Sequence, residues 1–478
     1  MIQRIANRLL GISYFLRRIT RKDASCILIV LLLAAGLRLP YLSFPNVTEF
    51  DELVYADNTL FLLEGITFAD THPPLARMLF TEIARPYMPL ETSVIPLGGN
   101  IPFGDFPFVP ERTFVAVIGI LLTLVVYLIG RVVTLSPPMA MLPALCVVFD
   151  NALTIFSRTI HADMIMILFG FLTLLAVLLL VRASSERRIV VLILLAGIAG
   201  GLALSVKWIA LGVVACAWLL LAIHKKFSAL IAVMAISVAV YIAVFASFFV
   251  FYIPNGGKAV NLGLENTPAY VGNITFPVTH SFGEALRYLP SYHKVMFATN
   301  YDQHIVGLLP KAGHPLLWIV SEADMRFWSI LDTSDPHEPG DIRTVTVTGN
   351  APLWAIVFLA YLFNCCWIVE RWLKERKMPV KKSELVLMIG YLANYIPFFF
   401  IDRPMYVYHY FNALIFLFLL LPFALPRIRH SMINTVHDRW FAPVFIVILL
   451  GIALINFVML IPETYGTHSW SYLLAHLP

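Results

Sequence analysis

Apolar runs of membrane-spanning length recur along nearly the whole chain. A helix that crosses a bilayer needs about 20 predominantly apolar residues. About eleven such runs can be counted, at roughly 25–44, 111–130, 137–155, 162–181, 189–206, 208–223, 227–252, 351–369, 384–400, 409–425 and 440–461. In lipid every backbone polar group must be satisfied within its own segment. The runs therefore predict an all-α polytopic bundle, and they exclude a soluble multidomain enzyme despite a length of 478 residues. Only 13% of residues are charged against 59% hydrophobic, and the mean hydropathy is +0.81. The five cysteines, Cys26, Cys146, Cys216, Cys365 and Cys366, lie in apolar runs without a metal-type spacing. They read as buried thiols, neither disulfides nor ligands.

Charge orients the bundle. With the N-terminus inside, the segments 1–24, 131, 182–188, 224–226, 370–382 and 426–439 face the cytoplasm and hold 21 of the 34 Lys and Arg residues. This is the positive-inside bias. It predicts a basic cytoplasmic N-terminus at 1–24, a transmembrane body at 25–461, and an extracytoplasmic tail at 462–478; the first apolar run lacks a small-residue cleavage site, so that span is expected to stay as an anchor. Two large loops, 45–110 and 253–350, then lie outside. The second is expected to be a cap of short helices.

The unusual polar residues gather on that outer face. Residues 49–79, "EFDELVYADNTLFLLEGITFADTHPPLARML", carry six acids and a single base, Arg77. Asp51 and Glu52 follow the first span closely, where ionisable groups are costly unless paired or useful. In "DTHPPLARML", Asp70 or Thr71 can cap a helix whose first turn takes a proline. That helix reads as amphipathic and surface-lying, with Arg77 off its apolar face. His72 is then either a surface or capping histidine or a group pinned beside the carboxylates. Arg112 opens the second span. It pairs with Glu111, or it offers its fork to a lipid phosphate. "SRTIHAD" contributes Arg158, His161 and Asp163, and "DRPMYVYHY" contributes Asp402, Arg403 and His409 among belt tyrosines. Lys207, beside Trp208, is most simply a snorkelling lysine. Sugar transfer to a hydroxyl needs a base for the hydroxyl proton and positive charge for a phosphate leaving group. Carboxylates on one wall and cations on the other would supply both.

The ordered set of motifs resembles the protein O-mannosyltransferases, polyprenyl-phosphate-mannose-dependent enzymes with the GT-C glycosyltransferase fold. "FDE" and "DTHPPLARML" are similar to the first-loop signature, and "ERTFVAVIG" to the Arg-led second span. "LALSVKWIAL" resembles the lysine–tryptophan segment, "GNAPLW" the GNP-W element, and "ANYIPFFFIDRPMYVYHYFNAL" the C-terminal YHY element. The matches run from about residue 49 to 414. The resemblance implies Asp51 as general base with Glu52 as its acidic partner, and Arg112 as a donor-phosphate ligand. It also matches Arg403 and His409 to a polar pair in the late outer loop; with Asp70, His72, Asp163 and Lys207 of the outer face they make up the expected donor-phosphate and substrate-binding set. Loop 253–350 is too short for the β-trefoil MIR domain of eukaryotic members, which implies a bacterial or archaeal member.

The implied reaction is inverting transfer of mannose to Ser or Thr hydroxyls of translocated proteins, in a plasma or inner membrane. Its partners would be a polyprenyl-phosphate-sugar donor, a secreted or membrane protein acceptor, and membrane lipids, with no nucleic acid. A related GT-C transferase with another sugar, or with a lipid or glycan acceptor, is the alternative. A lipid transporter fits least, because no internal repeat appears and the polar groups sit at helix ends rather than at mid-membrane. No cofactor is expected: a monophosphate leaving group can be stabilised by arginines, although Asp51 and Glu52 could be read as metal ligands.

Overall fold

The structure, a computed structural model, describes residues 20–49, 51–63, 65, 67–68, 71–88, 102–253, 259–260, 281–301, 313–321, 325–332, 341–401, 405–432 and 441–475. The expectations for Asp70, Asp402 and Arg403, and for most of the basic N-terminus, lie outside these residues.

The described residues fold mainly as helices. In chain order these are α1 (Arg21–Arg38), α2 (Glu52–Leu63), α3 (Leu75–Ala84), α4 (Phe108–Thr134), α5 (Pro137–Val148), α6 (Asn151–Phe156), α7 (Asp163–Leu180), α8 (Glu186–Val206), α9 (Leu211–Ile223) and α10 (Phe227–Ser247). They continue as α11 (Phe282–Tyr301), α12 (Ala351–Glu375), α13 (Lys382–Ala393), α14 (Phe411–Met432), α15 (Phe441–Met459), α16 (Ile461–Tyr465) and α17 (Trp470–Ala475). Among the described residues, seven helices are long and apolar enough to cross a membrane, and three apolar helices are shorter. The run at 137–155 is broken in two. Asp150 caps α6 by accepting from the Leu153 amide at 2.8 Å, which ends α5 before it reaches spanning length.

The helix around Asp163–Leu180 and the segment Val407–Ser431 form the middle of the bundle, with 83% and 78% of their apolar windows buried. The span Phe227–Tyr252 is only 28% buried and turns Ile231 and Val238 outward, as a lipid-facing helix would. Polar staples close both ends. At one end Arg131 meets Asp23 at 2.7 Å, and Arg427 clasps Glu384 and Asn364. At the opposite end, where α4 begins, lie the described residues among those singled out in the sequence.

The two long loops meet at that end. Short strands β1 (Thr67–Phe68) and β2 (Ala259–Val260) pair in parallel across them. The second loop is not built of short helices alone. It contains α11 and an antiparallel hairpin of β3 (Arg326–Asp332) and β4 (Asp341–Thr346). The β-branched, alternating sequence "IRTVTV" at 342–347 suits a half-buried strand better than a helix. The hairpin turns Phe327 and Trp328 into the core while leaving Ile330 and Ile342 exposed.

The C-terminal segment is a packed part of the same end. Tyr465 donates to the Leu37 carbonyl at 2.6 Å, Arg158 stacks 4.4 Å from its ring, and Asn151 reaches Thr464 at 2.7 Å. "GNAPLW" is likewise a staple. The Asn350 side chain donates to the Phe149 and Ala453 carbonyls at 3.0 and 2.7 Å, and Trp354 donates its indole N–H to Asp150. A Cβ on Gly349 would lie 2.2 Å from the Trp354 ring, so this contact requires glycine. Of the cysteines, Cys146 and Cys216 are buried, whereas Cys366 is exposed.

Candidate active site

Glu52 and Arg112 form a closed unit. Arg112 grips Glu52 through two bonds, Nε to Oε1 at 2.8 Å and Nη2 to Oε2 at 2.6 Å. Its Nη1 donates to the Leu42 and Pro45 carbonyls at 3.1 and 2.9 Å, and Nη2 also reaches the Val47 carbonyl at 3.5 Å. A guanidinium has five N–H donors, and these five bonds use them. Glu52 in turn accepts the Ile160 amide at 2.8 Å and the Glu49 amide at 3.2 Å. Both side chains are at most 1% exposed.

This geometry corrects two expectations. Arg112 pairs with Glu52 rather than Glu111, which instead accepts the Thr59 hydroxyl at 3.1 Å. Arg112 also has no donor to spare for a lipid phosphate, and the oxygens of Glu52 are committed. The pair ties residues 42–52 to the start of α4 and to the 158–162 turn. Asp51, half-buried and immediately before α2, is held on this platform. Arg158 serves the same framework, donating to the Arg38 and Tyr41 carbonyls at 3.0 and 3.2 Å.

Glu49 sits against this unit with both carboxylate oxygens lacking a hydrogen-bond partner. Burial, reinforced by the negative charge of Glu52, pushes its carboxyl up to about 8. Asp57 on α2 is also fully buried and unpartnered, and burial pushes it up to about 7.

α3 is not a surface helix. Leu75, Ala76, Arg77, Phe80, Thr81 and Ala84 are all buried. Pro74 occupies its N-cap position with no side-chain cap, so Thr71 is not the N-cap residue. Arg77 points inward and donates to the Tyr292 hydroxyl at 2.6 Å.

The second cluster surrounds a cavity of about 530 Å³. His72, Asp163, Lys207 and His409, four of the sequence candidates, line it together. Lys207 is where α8 gives way to an extended residue, φ −149° and ψ 140°, so its cation lies at a helix C-terminus, the favourable pole for positive charge. It is not a snorkelling lysine. It is 4% exposed, its Nζ lies 2.8 Å from Asp163 Oδ2, and the Tyr408 ring centroid is 5.3 Å away. An ammonium has three donors; Asp163 takes one. His409 stacks on Tyr408 at 4.3 Å, and both line the cavity.

The remaining wall is largely apolar, with Asn394 as its polar residue. Leu211 and Ala215 on α9 face Ala393, Pro397, Phe398 and Ile401 from the end of α13 onward. A buried cation at one part of an oily cavity matches an amphiphile with an anionic head and a hydrocarbon body. Asp51, Glu52 and Arg112 are not among the lining residues. The 158–163 turn connects the clusters, since Glu52 holds the Ile160 amide while Asp163 holds Lys207. Between them His161, fully buried, stacks parallel on Phe327 at 5.2 Å. Burial and the nearby charges of Lys207 and Arg112 hold its imidazole well below the usual histidine range, so it serves there as a neutral aromatic wedge. Among the described residues, no three His, Cys, Asp or Glu side chains converge as metal ligands would.

The structural likeness and the sequence likeness agree. Residues 28–258 match the family profile described as dolichyl-phosphate-mannose-protein mannosyltransferase. Residues 286–477 match the profile of the C-terminal four-span region of protein O-mannosyltransferase. Protein O-mannosyl-transferase 1 of Danio rerio is 28% identical over 156 residues, 32% of this chain and 21% of that protein. The chain spans about a fifth of the length of the curated relatives it matches first. In the Saccharomyces cerevisiae Pmt1–Pmt2 complex bound to the sugar donor, one chain superposes with a TM-score of 0.75 at 16% identity, covering 94% of this chain and 91% of that one. ArnT from Cupriavidus metallidurans in the apo state superposes at 0.51 and 15% identity, covering 93% and 75%. Both likenesses are of fold: a multi-pass GT-C membrane bundle. On these matches, the chain belongs to the protein O-mannosyltransferase family.

Proposed function

We propose that the protein transfers mannose from a polyprenyl-phosphate donor to a Ser or Thr hydroxyl of a protein acceptor at the extracytoplasmic face of the membrane. The observation that carries this reading is the Lys207–Asp163 pair in a cavity that one long wall, from α9 to the segment after α13, makes largely apolar. Lys207 takes the phosphate of the donor. The groove between Leu211, Ala215, Pro397 and Phe398 takes the first isoprene units.

Asp51 is the general base in this reading. It accepts the proton of the acceptor hydroxyl as that oxygen attacks the sugar C1 from the face opposite the phosphate. The C1–O bond to phosphate breaks with inversion, its electron pair leaves on the phosphate oxygen, and Lys207 stabilises the charge that develops there. Arg112 and Glu52 fix the backbone that carries Asp51. Arg403 remains a proposed second cation for the leaving phosphate. The matched family profiles and the Pmt1–Pmt2 likeness support the reading.

The proposed reaction needs no divalent ion. The checking experiment supplies radiolabelled mannosyl-phosphoryl-polyprenol to the purified protein in nanodiscs with a Ser/Thr-rich peptide. Label is expected in the peptide, with EDTA leaving the rate within twofold. Label entering only a lipid or glycan acceptor would redirect the reading to the alternative transferase. Abolition by EDTA with rescue by a divalent ion would make metal part of the machinery.

A further inference from the structure

Helix α11, in the second long loop, touches both walls of the cavity through adjacent residues. Tyr292 receives Arg77 Nη2 at 2.6 Å. The same Nη2 atom reaches the His72 carbonyl at 3.4 Å, and His72 lines the cavity. The next residue, His293, makes a second link. Its Nε2 is 2.7 Å from the Tyr241 hydroxyl on α10, and that hydroxyl accepts the Trp208 indole N–H at 2.9 Å. Trp208 and Phe297, the latter also on α11, pack with tilted rings 4.7 Å apart and both line the cavity.

The hydrogen-bond chain runs in one direction. His293 Nδ1 lies 2.8 Å from the Leu289 carbonyl, which can only accept, so Nδ1 bears the proton. In the neutral ring Nε2 is then an acceptor and takes the Tyr241 O–H. The Tyr241 oxygen is thereby turned to take the Trp208 N–H. An indole N–H is a donor only, so its one polar direction is set by Tyr241. Trp208 follows Lys207 in the chain, and fixing its indole fixes the backbone that carries the ammonium.

We infer that α11 is a clamp on the donor cavity, with Tyr241 and His293 as positioning residues that hold the Trp208–Lys207 wall while Tyr292 and Arg77 hold the His72 wall. The inference rests on the reading of this cavity as the polyprenyl-phosphate-sugar site. Its consequence is that donor affinity is set partly by a hydrogen-bond relay that never touches the donor.

The test measures donor KM and kcat for the full chain in nanodiscs, using mannosyl-phosphoryl-polyprenol and a fixed peptide, with folded fraction matched by size exclusion. Tyr241→Phe and His293→Ala are each expected to raise the donor KM about fivefold, the loss of roughly one hydrogen bond, with kcat within twofold. The double variant is expected to be no worse than either single one, since either breaks the same relay. His293→Gln offers an amide oxygen to Tyr241 and is expected to stay within twofold of the parent. Additive losses in the double variant, a fall in kcat at unchanged KM, or a Gln variant as weak as Ala would each overturn the clamp. If His293→Ala does not fold, Tyr241→Phe against His293→Gln decides the matter. Lys207→Ala separates the two levels. An unchanged donor KM there overturns the donor reading and the clamp with it, whereas a raised KM with unaffected Tyr241 and His293 variants overturns the clamp alone.

Discussion

The Glu52–Arg112 unit and the Lys207–Asp163 pair are both buried ion pairs at the same end of the bundle, yet they are built for opposite purposes. In the first, the polar valences are spent inside the protein: five donor bonds from the guanidinium and four acceptor bonds into the carboxylate. In the second, a cation with three donors gives one hydrogen bond to Asp163 and lines a largely apolar cavity. A closed pair holds a fold together; an open pair leaves capacity for a ligand. Charge and position within a loop do not separate the two cases, because what separates them is how many partners the backbone brings.

The largest expected effect breaks the closed pair. Arg112→Ala leaves Glu52 buried without its cation and three loop carbonyls without donors. Removing one partner of a buried pair costs about 3–5 kcal/mol, so thermal unfolding in nanodiscs should shift sharply downward. Arg112→Lys should recover little, because a point charge cannot replace the fork. If Arg112→Ala kept parental stability and lost only donor binding, the comparison would be reversed and Arg112 would be the open cation.

Next in size is Asp51→Asn. The amide keeps the volume but cannot take a proton, so turnover should fall by roughly 10²-fold or more while donor KM and unfolding temperature stay near parental values. Near-normal turnover would move the base away from Asp51.

The comparison also shows what could be read in the chain. Spans such as 162–181 and 227–252 were legible because lipid forces long apolar helices, and grouping the polar residues at one end followed from charge. The cavity's lining of His72, Asp163, Lys207 and His409 was legible as a set of residues on one face. The division of labour was not. Arg112 neighbours Glu111 in sequence but pairs with a residue 60 positions earlier, because the loop before α2 folds back over the start of α4. Nor was α3 legible as buried: its alternation of Leu75, Met78 and Leu79 with polar residues suits a membrane surface as well as a protein interior. Tyr241 and His293 gave no signal, since a tyrosine in a span and a histidine in a loop helix become partners only when α11 docks.

Lys207→Met sharpens the open side. Losing a charge-assisted hydrogen bond costs about 1.5–3 kcal/mol, so donor affinity should fall roughly 10- to 100-fold, read by titration of the polyprenyl-phosphate donor. Stability should change less than in Arg112→Ala, because Asp163 borders the cavity and can be hydrated. Equal destabilisation of the two variants would mean that both pairs are closed.

The smallest effect tests the closed side by pH. Glu49 is buried against Glu52, and its carboxyl is pushed up to about 8, above its ordinary value near 4.5. Between these two values the folded state holds a proton that the unfolded chain has released. Stability contributed by the neutral carboxyl is therefore full below about pH 4.5 and declines as pH rises towards 8. Glu49→Gln keeps a neutral group at every pH. The variant and the parent should unfold at similar temperatures at pH 5, and the variant should be the more stable at pH 9, measured in nanodiscs at fixed ionic strength. A difference that stays constant from pH 5 to 9 would mean that Glu49 is ionised throughout. The Glu52–Arg112 unit would then carry a second negative charge, and it would be less closed than its hydrogen bonds indicate.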